Sequence, residues 1–182
     1  MFDPEDEMKI NKTMTVAATA DQVWKVWAHD FNDAYQWMAS VPYSYAVDHG
    51  KLFDGAQSAG RTCDLNDKPN GLKAIEQFLD YDEANKTATV RVDFENTPSG
   101  FPVRYNQVPV SIVDTADGQS EMTWRFQSHI KPWAVFMWPA VRKAFDVFVG
   151  QIMEELQYFV ENGEPRPRKQ KALAKAQQVA HA

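Results

Sequence analysis

The stretch from Trp133 to Asn162 limits what this chain can fold into more than any other. Its apolar residues fall at Val141, Phe145, Phe148, Val149, Ile152, Leu156, Phe159 and Val160. Steps of three and four put them on one wide face of a helix. Arg142, Lys143, Asp146, Glu154 and Glu155 fall largely on the other side. Pro139 suits a first helical position, where an N–H would have no intrahelical partner. Gly163 is placed to stop the helix in a left-handed turn, and Pro165 prevents it from resuming. The regular helix is therefore expected from about Pro139 to Asn162, with Lys131 to Trp138 an aromatic lead-in. Burying those apolar side chains contributes on the order of 12–24 kcal/mol before entropy is counted. Something broad must cover that face.

The cover lies upstream. Met8 to Ala17 alternates loosely and reads as a first strand. Thr19 looks like a helix N-cap with Gln22 completing a capping box, so a short helix is expected from Ala20 to about Ala28. A second short helical segment, Phe31 to Met38, ends before Pro42. The period then changes to two, and strands are expected over Tyr43–His49, Gln57–Leu65, Leu72–Tyr81, Thr87–Glu95, Val103–Thr115 and Gln119–His129. The segments between them carry Asn, Asp, Gly and Pro in turn-forming combinations. Seven strands with short connections make an antiparallel meander, and its oily face needs the last helix. The expected fold is α+β: a seven-stranded curved antiparallel sheet wrapped around one long C-terminal helix, with two short helices after strand one.

The chain has 182 residues, 44% of them hydrophobic and 13% aromatic, which suits one folded domain over residues 1–163. Net charge is −6, but from Glu164 onward five Lys/Arg face one acid, so the tail carries +4 and the rest −10. A body of that sign argues against nucleic-acid binding. The basic, Ala/Gln/Lys-rich tail, 164–182, is expected to be disordered or a frayed helix, and could touch an acidic protein partner. No apolar run is long enough to span a bilayer, so no integral membrane association is expected. The acidic segment from Asp3 to Glu7 is expected to be a solvated end, unlike a targeting signal. A single cysteine, Cys63, fits a reducing, cytoplasmic setting. His29, His49, His129 and His181 have no ligand spacing, and no phosphate loop or CxxC occurs, so neither a metal site nor a cofactor is expected.

The order β-α-α-β6-α, together with several short motifs, resembles the START/birch-pollen-allergen (SRPBCC) superfamily of helix-grip folds, particularly its polyketide cyclase/dehydrase-like branch. The resemblance covers about Ile10 to Gly163. It is carried by Val16-Ala17-Ala18-Thr19-Ala20-Asp21-Gln22-Val23-Trp24, by Trp37, by Glu76 and Asp80 in IEQFLDYD, by Pro102-Val103-Arg104-Tyr105 and by Met122-Thr123-Trp124. Plant abscisic-acid receptors share this layout, and the resemblance implies that Glu76 and Tyr105 line a ligand pocket. Two departures stand out. The receptors' Gly-Leu-Pro gate is replaced by Asn66-Asp67-Lys68-Pro69-Asn70-Gly71, and Cys63 occupies the usual third-strand arginine position, with Arg61 two residues earlier.

Alternation places Leu72, Ala74, Glu76 and Phe78 on one face, as it does Val90, Val92 and Phe94, and Met122, Trp124 and Phe126. Glu76 thus falls in an apolar row, where a carboxylate needs a cation or hydrogen-bond donors. A one-residue error in register would instead leave it outside. Glu76, Tyr105 and Arg61 form the expected polar trio, either anchoring a ligand or serving as acid and base. Cys63, Phe78, Trp124, Phe126, Trp133, Met137 and Val141 are the expected walls, with Phe136, Trp138 and Phe145 adding to the aromatic set; these residues could equally just fill the core. Three functions remain open. The first is binding, with transport or sensing, of a small hydrophobic or aromatic molecule. The second is a cofactor-independent polyketide cyclase, aromatase or dehydratase, and the third a protein-interaction module.

Overall fold

A computed structural model describes residues 7–180 of the chain, and the surroundings of side chains over 8–174. The acidic residues 3–6 and His181 lie outside the described residues. The first strand, β1 (Glu7–Val16), leads into α1 (Ala20–Trp24), a π turn (Lys25–His29) and a 3-10 segment (Phe31–Gln36). Six strands follow: β2 (Tyr43–Ala46), β3 (Gly60–Asp64), β4 (Lys73–Asp82), β5 (Thr87–Glu95), β6 (Val103–Asp114) and β7 (Ser120–Ile130). A 3-10 turn (Pro132–Met137) feeds the long helix α2 (Trp138–Asn162), and α3 (Pro167–Ala180) ends the described chain.

The local signals act as their chemistry dictates. Thr19 accepts from the Gln22 backbone N–H while the Gln22 side chain accepts from the Thr19 N–H, the reciprocal box that satisfies two orphan donors. Gly163 ends α2 at φ 71°, a left-handed conformation that costs glycine little. All seven strands form one antiparallel sheet in the order β1-β7-β6-β5-β4-β3-β2, so only β1 joins out of sequence, beside β7. Strands β2 and β3 are shorter than their patterns suggested, because 47–59 leaves the sheet in a turn-rich excursion.

The last half of α2 closes the core. Val149, Ile152, Met153 and Leu156 are buried, and polar bonds tie the helix to β1 and the residue after it. Lys12 pairs with Asp146 at 3.1 Å, Gln157 donates to the Thr15 carbonyl at 3.0 Å, and Ala17 N–H donates to Glu161 at 2.9 Å. A second core zone is aromatic. Trp24, Trp27, Phe31, Phe78 and Tyr81 pack ring against ring where α1 and the turns after it cross the sheet. The Trp24 indole N–H there donates to Glu83 at 2.8 Å, so this buried tryptophan keeps its polar edge satisfied.

The basic tail takes the helical one of its two expected forms but is not merely a solvated end. It forms α3 over Pro167–Ala180, consistent with the helix propensity of Ala, Gln and Lys, and Lys169 is 1% exposed. The Lys169 ammonium donates to the Val41 carbonyl at 2.8 Å, and Ala39 N–H donates to the buried Glu155 carboxylate at 2.8 Å. Residues 39–41 are thus held from behind by α2 and α3 together. Burial pulls the Lys169 amine down to about 8, against the attraction of Glu155 and Asp67. Between about pH 8 and the unfolded amine's value of about 10.5 the unfolded chain holds the extra proton. Stability should therefore rise with pH across that window, and the cost of the buried amine should be fully present below it. Thermal unfolding of wild type and Lys169→Met over this range checks the sign: the wild type should gain on the variant as pH rises.

Candidate ligand cavity

The sheet's inward face and α2 are pinned together where Lys12 pairs with Asp146. Between them lies a cavity of about 370 Å³, within the size range of small-molecule sites. Ala74, Val90, Val92, Phe94, Val108, Val110, Trp124 and Phe126 line it from the sheet. Ala144, Phe145, Phe148 and Ile152 line it from α2, and Trp27, Phe31, Met38, Ser40 and Val41 from the opposite side. Three loop residues, Leu65, Leu72 and Phe101, complete the wall. The segment braced by Glu155 and Lys169 is therefore part of the cavity.

One rung of the sheet supplies nearly all the polarity. Arg61 on β3 stands opposite Glu76 on β4, Glu76 opposite Val92 on β5, Val92 opposite Asn106 on β6, and Asn106 opposite Ser128 on β7. Side chains in register on adjacent strands share a face, so the rung runs across the cavity. The Arg61 Nε and Nη2 donate to Glu76 Oε2 at 3.0 and 2.7 Å. Its Nη1 donates to the Phe31 carbonyl at 2.7 Å, and its guanidinium lies 4.0 Å from the Phe31 ring centre. The Arg61 side chain is 4% exposed and that of Glu76 15%, so the carboxylate is the more accessible member. Asn106 is buried and lines the wall; its Oδ1 and Ser128 Oγ are sealed from solvent and have no hydrogen-bond partner among the described residues.

Of the residues expected from sequence, the structure brings Arg61, Glu76, Trp124, Phe126 and Phe145 to the wall. Tyr105 it does not. Beyond a register shift between Val103 and Tyr105, the buried residues of β6 are Asn106, Val108, Val110 and Ile112, so Tyr105 points to the other face. There its ring stacks on His129 at 4.0 Å and the Arg91 guanidinium covers it at 4.0 Å. Alternation counted back from Val110 would have put Asn106 inside in its place.

The remaining corrections have local causes. Cys63 is fully buried opposite Ala74 and beside the Arg61–Glu76 pair, off the cavity wall; burial pushes its thiol up to about 12, which leaves it unreactive. Phe78 is consumed by the aromatic core zone against Phe31 at 4.5 Å. Val141 is buried but does not reach the cavity. Trp133 and Met137 are exposed, as is Phe136, because the lead-in is a 3-10 turn whose only buried residue is Ala134. With three residues per turn, Trp133 and Phe136 fall on one side together. Among the described residues no group of three or more His, Cys, Asp or Glu comes together, and no helix is long and apolar enough to cross a membrane.

Comparison with known proteins places this geometry in a family. Residues 7–158 match the family described as polyketide cyclase/dehydrase and lipid transport. No curated protein matches the sequence. Among solved structures, that of Ara h 8.0201 superposes with a TM-score of 0.65 at 12% identity, covering 85% of this chain and 97% of that one. XoxI from Bacillus cereus gives 0.62 at 16% identity, covering 85% and 96%, and a START superfamily protein from Mycobacterium smegmatis 0.59 at 16%, covering 86% and 96%. At such identities these neighbours speak for the fold, a seven-stranded sheet gripping a long C-terminal helix. With its family match running from the first strand into the last turns of α2, the chain belongs to the polyketide cyclase/dehydrase and lipid transport family.

Proposed function

We propose that this protein binds a small, largely apolar molecule in the cavity between sheet and α2, with the Arg61–Glu76 pair orienting its polar end. The observation that carries the reading is a single ion pair set in a wall that is otherwise apolar except for Ser40 and Asn106. Small-molecule sites have that make-up, a greasy enclosure with a few fixed polar groups. A cyclase or dehydratase would need an acid and a base converging on one substrate. The pair expected for that work was Glu76 with Tyr105 or Arg61. Tyr105 faces away, and Arg61 is held as a cation by its carboxylate partner, so binding is favoured over turnover.

The neutral fluorophore N-phenyl-1-naphthylamine tests the reading. It should bind one molecule per chain with its emission enhanced. Val92→Phe, which pushes a ring into the centre of the cavity, should weaken it by at least about tenfold, or 1.4 kcal/mol. Equal affinity for wild type and variant would mean that the probe sits elsewhere and that the cavity is not the site.

A further inference from the structure

We infer that the cavity selects an uncharged ligand that donates a hydrogen bond through a hydroxyl, and discriminates against a carboxylate on the same skeleton. The inference rests on the binding function proposed above and adds the chemistry of what is bound.

Among the described residues Arg61 and Glu76 are the only ionisable ones lining the cavity, so its wall is neutral overall. The arginine, which would ordinarily receive an anion, is already engaged. Its Nε and Nη2 hold Glu76, its Nη1 holds the Phe31 carbonyl, and one guanidinium face is covered by the Phe31 ring. Both bonds to the carboxylate end on Oε2, and Oε1 accepts none from Arg61. The group presented to a ligand is therefore an acceptor that carries the negative half of the pair. A ligand hydroxyl donates into it. A ligand carboxylate would bring a second negative charge beside Glu76, in surroundings where like charges are poorly screened.

Calorimetric titration near pH 7 with three probes of one size tests this: 2-naphthol, 2-methoxynaphthalene and 2-naphthoate. The naphthol should bind most tightly, about tenfold above its methyl ether, which is one hydrogen bond to a charged group. The naphthoate should bind weakest. Naphthoate binding as tightly as naphthol would overturn the inference. In Glu76→Gln the arginine keeps an oxygen to bond but loses its countercharge, so naphthoate should gain and naphthol should lose about tenfold each. A parallel change in both would count against it. Since that variant could fold poorly, 2-naphthamide supplies a second arm on the wild type: it has the shape of 2-naphthoate without the charge and donates through its N–H, so it should bind about tenfold more tightly than 2-naphthoate, and equal affinities would overturn the inference. The two readings also fail differently. If N-phenyl-1-naphthylamine does not bind the cavity, the binding function falls; if it binds normally while the three naphthalenes show no order, donor selection alone falls.

Discussion

Replacing Arg61 by Met is expected to destabilise the fold by about 3–5 kcal/mol, the usual cost of stranding one member of a buried ion pair. Its side chain is 4% exposed and makes three hydrogen bonds, two to Glu76 and one to the Phe31 carbonyl. Removing it leaves a carboxylate with no cation and a backbone carbonyl with no donor, while Met fills most of the volume. The double variant Arg61→Met/Glu76→Met should recover much of the loss, because neither charge is then left in an apolar wall. Urea titration of wild type, both single variants and the double variant measures the coupling directly. A double variant no better than Arg61→Met would mean that packing on Phe31, rather than charge compensation, is what Arg61 supplies. If the proposed function is right, the recovered double variant should be stable yet have lost its preference among polar ligands. Stability and selectivity would then separate at one residue pair.

Why some of this was legible in the sequence and some was not follows from periodicity. Glu76, Trp124 and Phe126 sit on uninterrupted stretches of strand where a period of two fixes the face, and they line the cavity as alternation requires. The helix boundaries rest on Gly163 and on Thr19 with Gln22, residues whose preferred conformations act locally. Tyr105 was assigned by resemblance to a motif, and a bulge beside Arg104 breaks the count from that motif into the strand. No pattern marks Ser40, Val41, Leu65 or Phe101 as cavity walls, since they lie outside the regular elements and their placement depends on tertiary contacts. Lys169 is the extreme case. A lysine in a solvated-looking tail gives no local sign that it will be 1% exposed; its burial requires the Val41 carbonyl and Glu155, distant in sequence.

Gly60→Ala should be the most damaging single-methyl change near the site. A Cβ at this position would come 2.1 Å from the Glu76 carbonyl oxygen and 2.8 Å from Gln77 Cα. Both are backbone atoms of β4, so no rotamer change relieves the clash, and β3 must move away from β4. Overpacking that side chains can absorb costs about 1–3 kcal/mol. Here the cost should reach or exceed the top of that range, because the ladder itself has to open. The strand that shifts carries Arg61, in register with Glu76, so the ion pair is pulled apart with it. Gly118→Ala is the control. It lies in open space at φ 71°, so it bears only left-handed backbone strain of about 1–2 kcal/mol and touches nothing near the cavity. Thermal unfolding should rank Gly60→Ala well below Gly118→Ala. At a temperature where both remain folded, only Gly60→Ala should lose N-phenyl-1-naphthylamine binding. Equal losses would mean that β3 has room to retreat while keeping Arg61 on Glu76, and that the close approach of the two strands does not set the geometry of the pair.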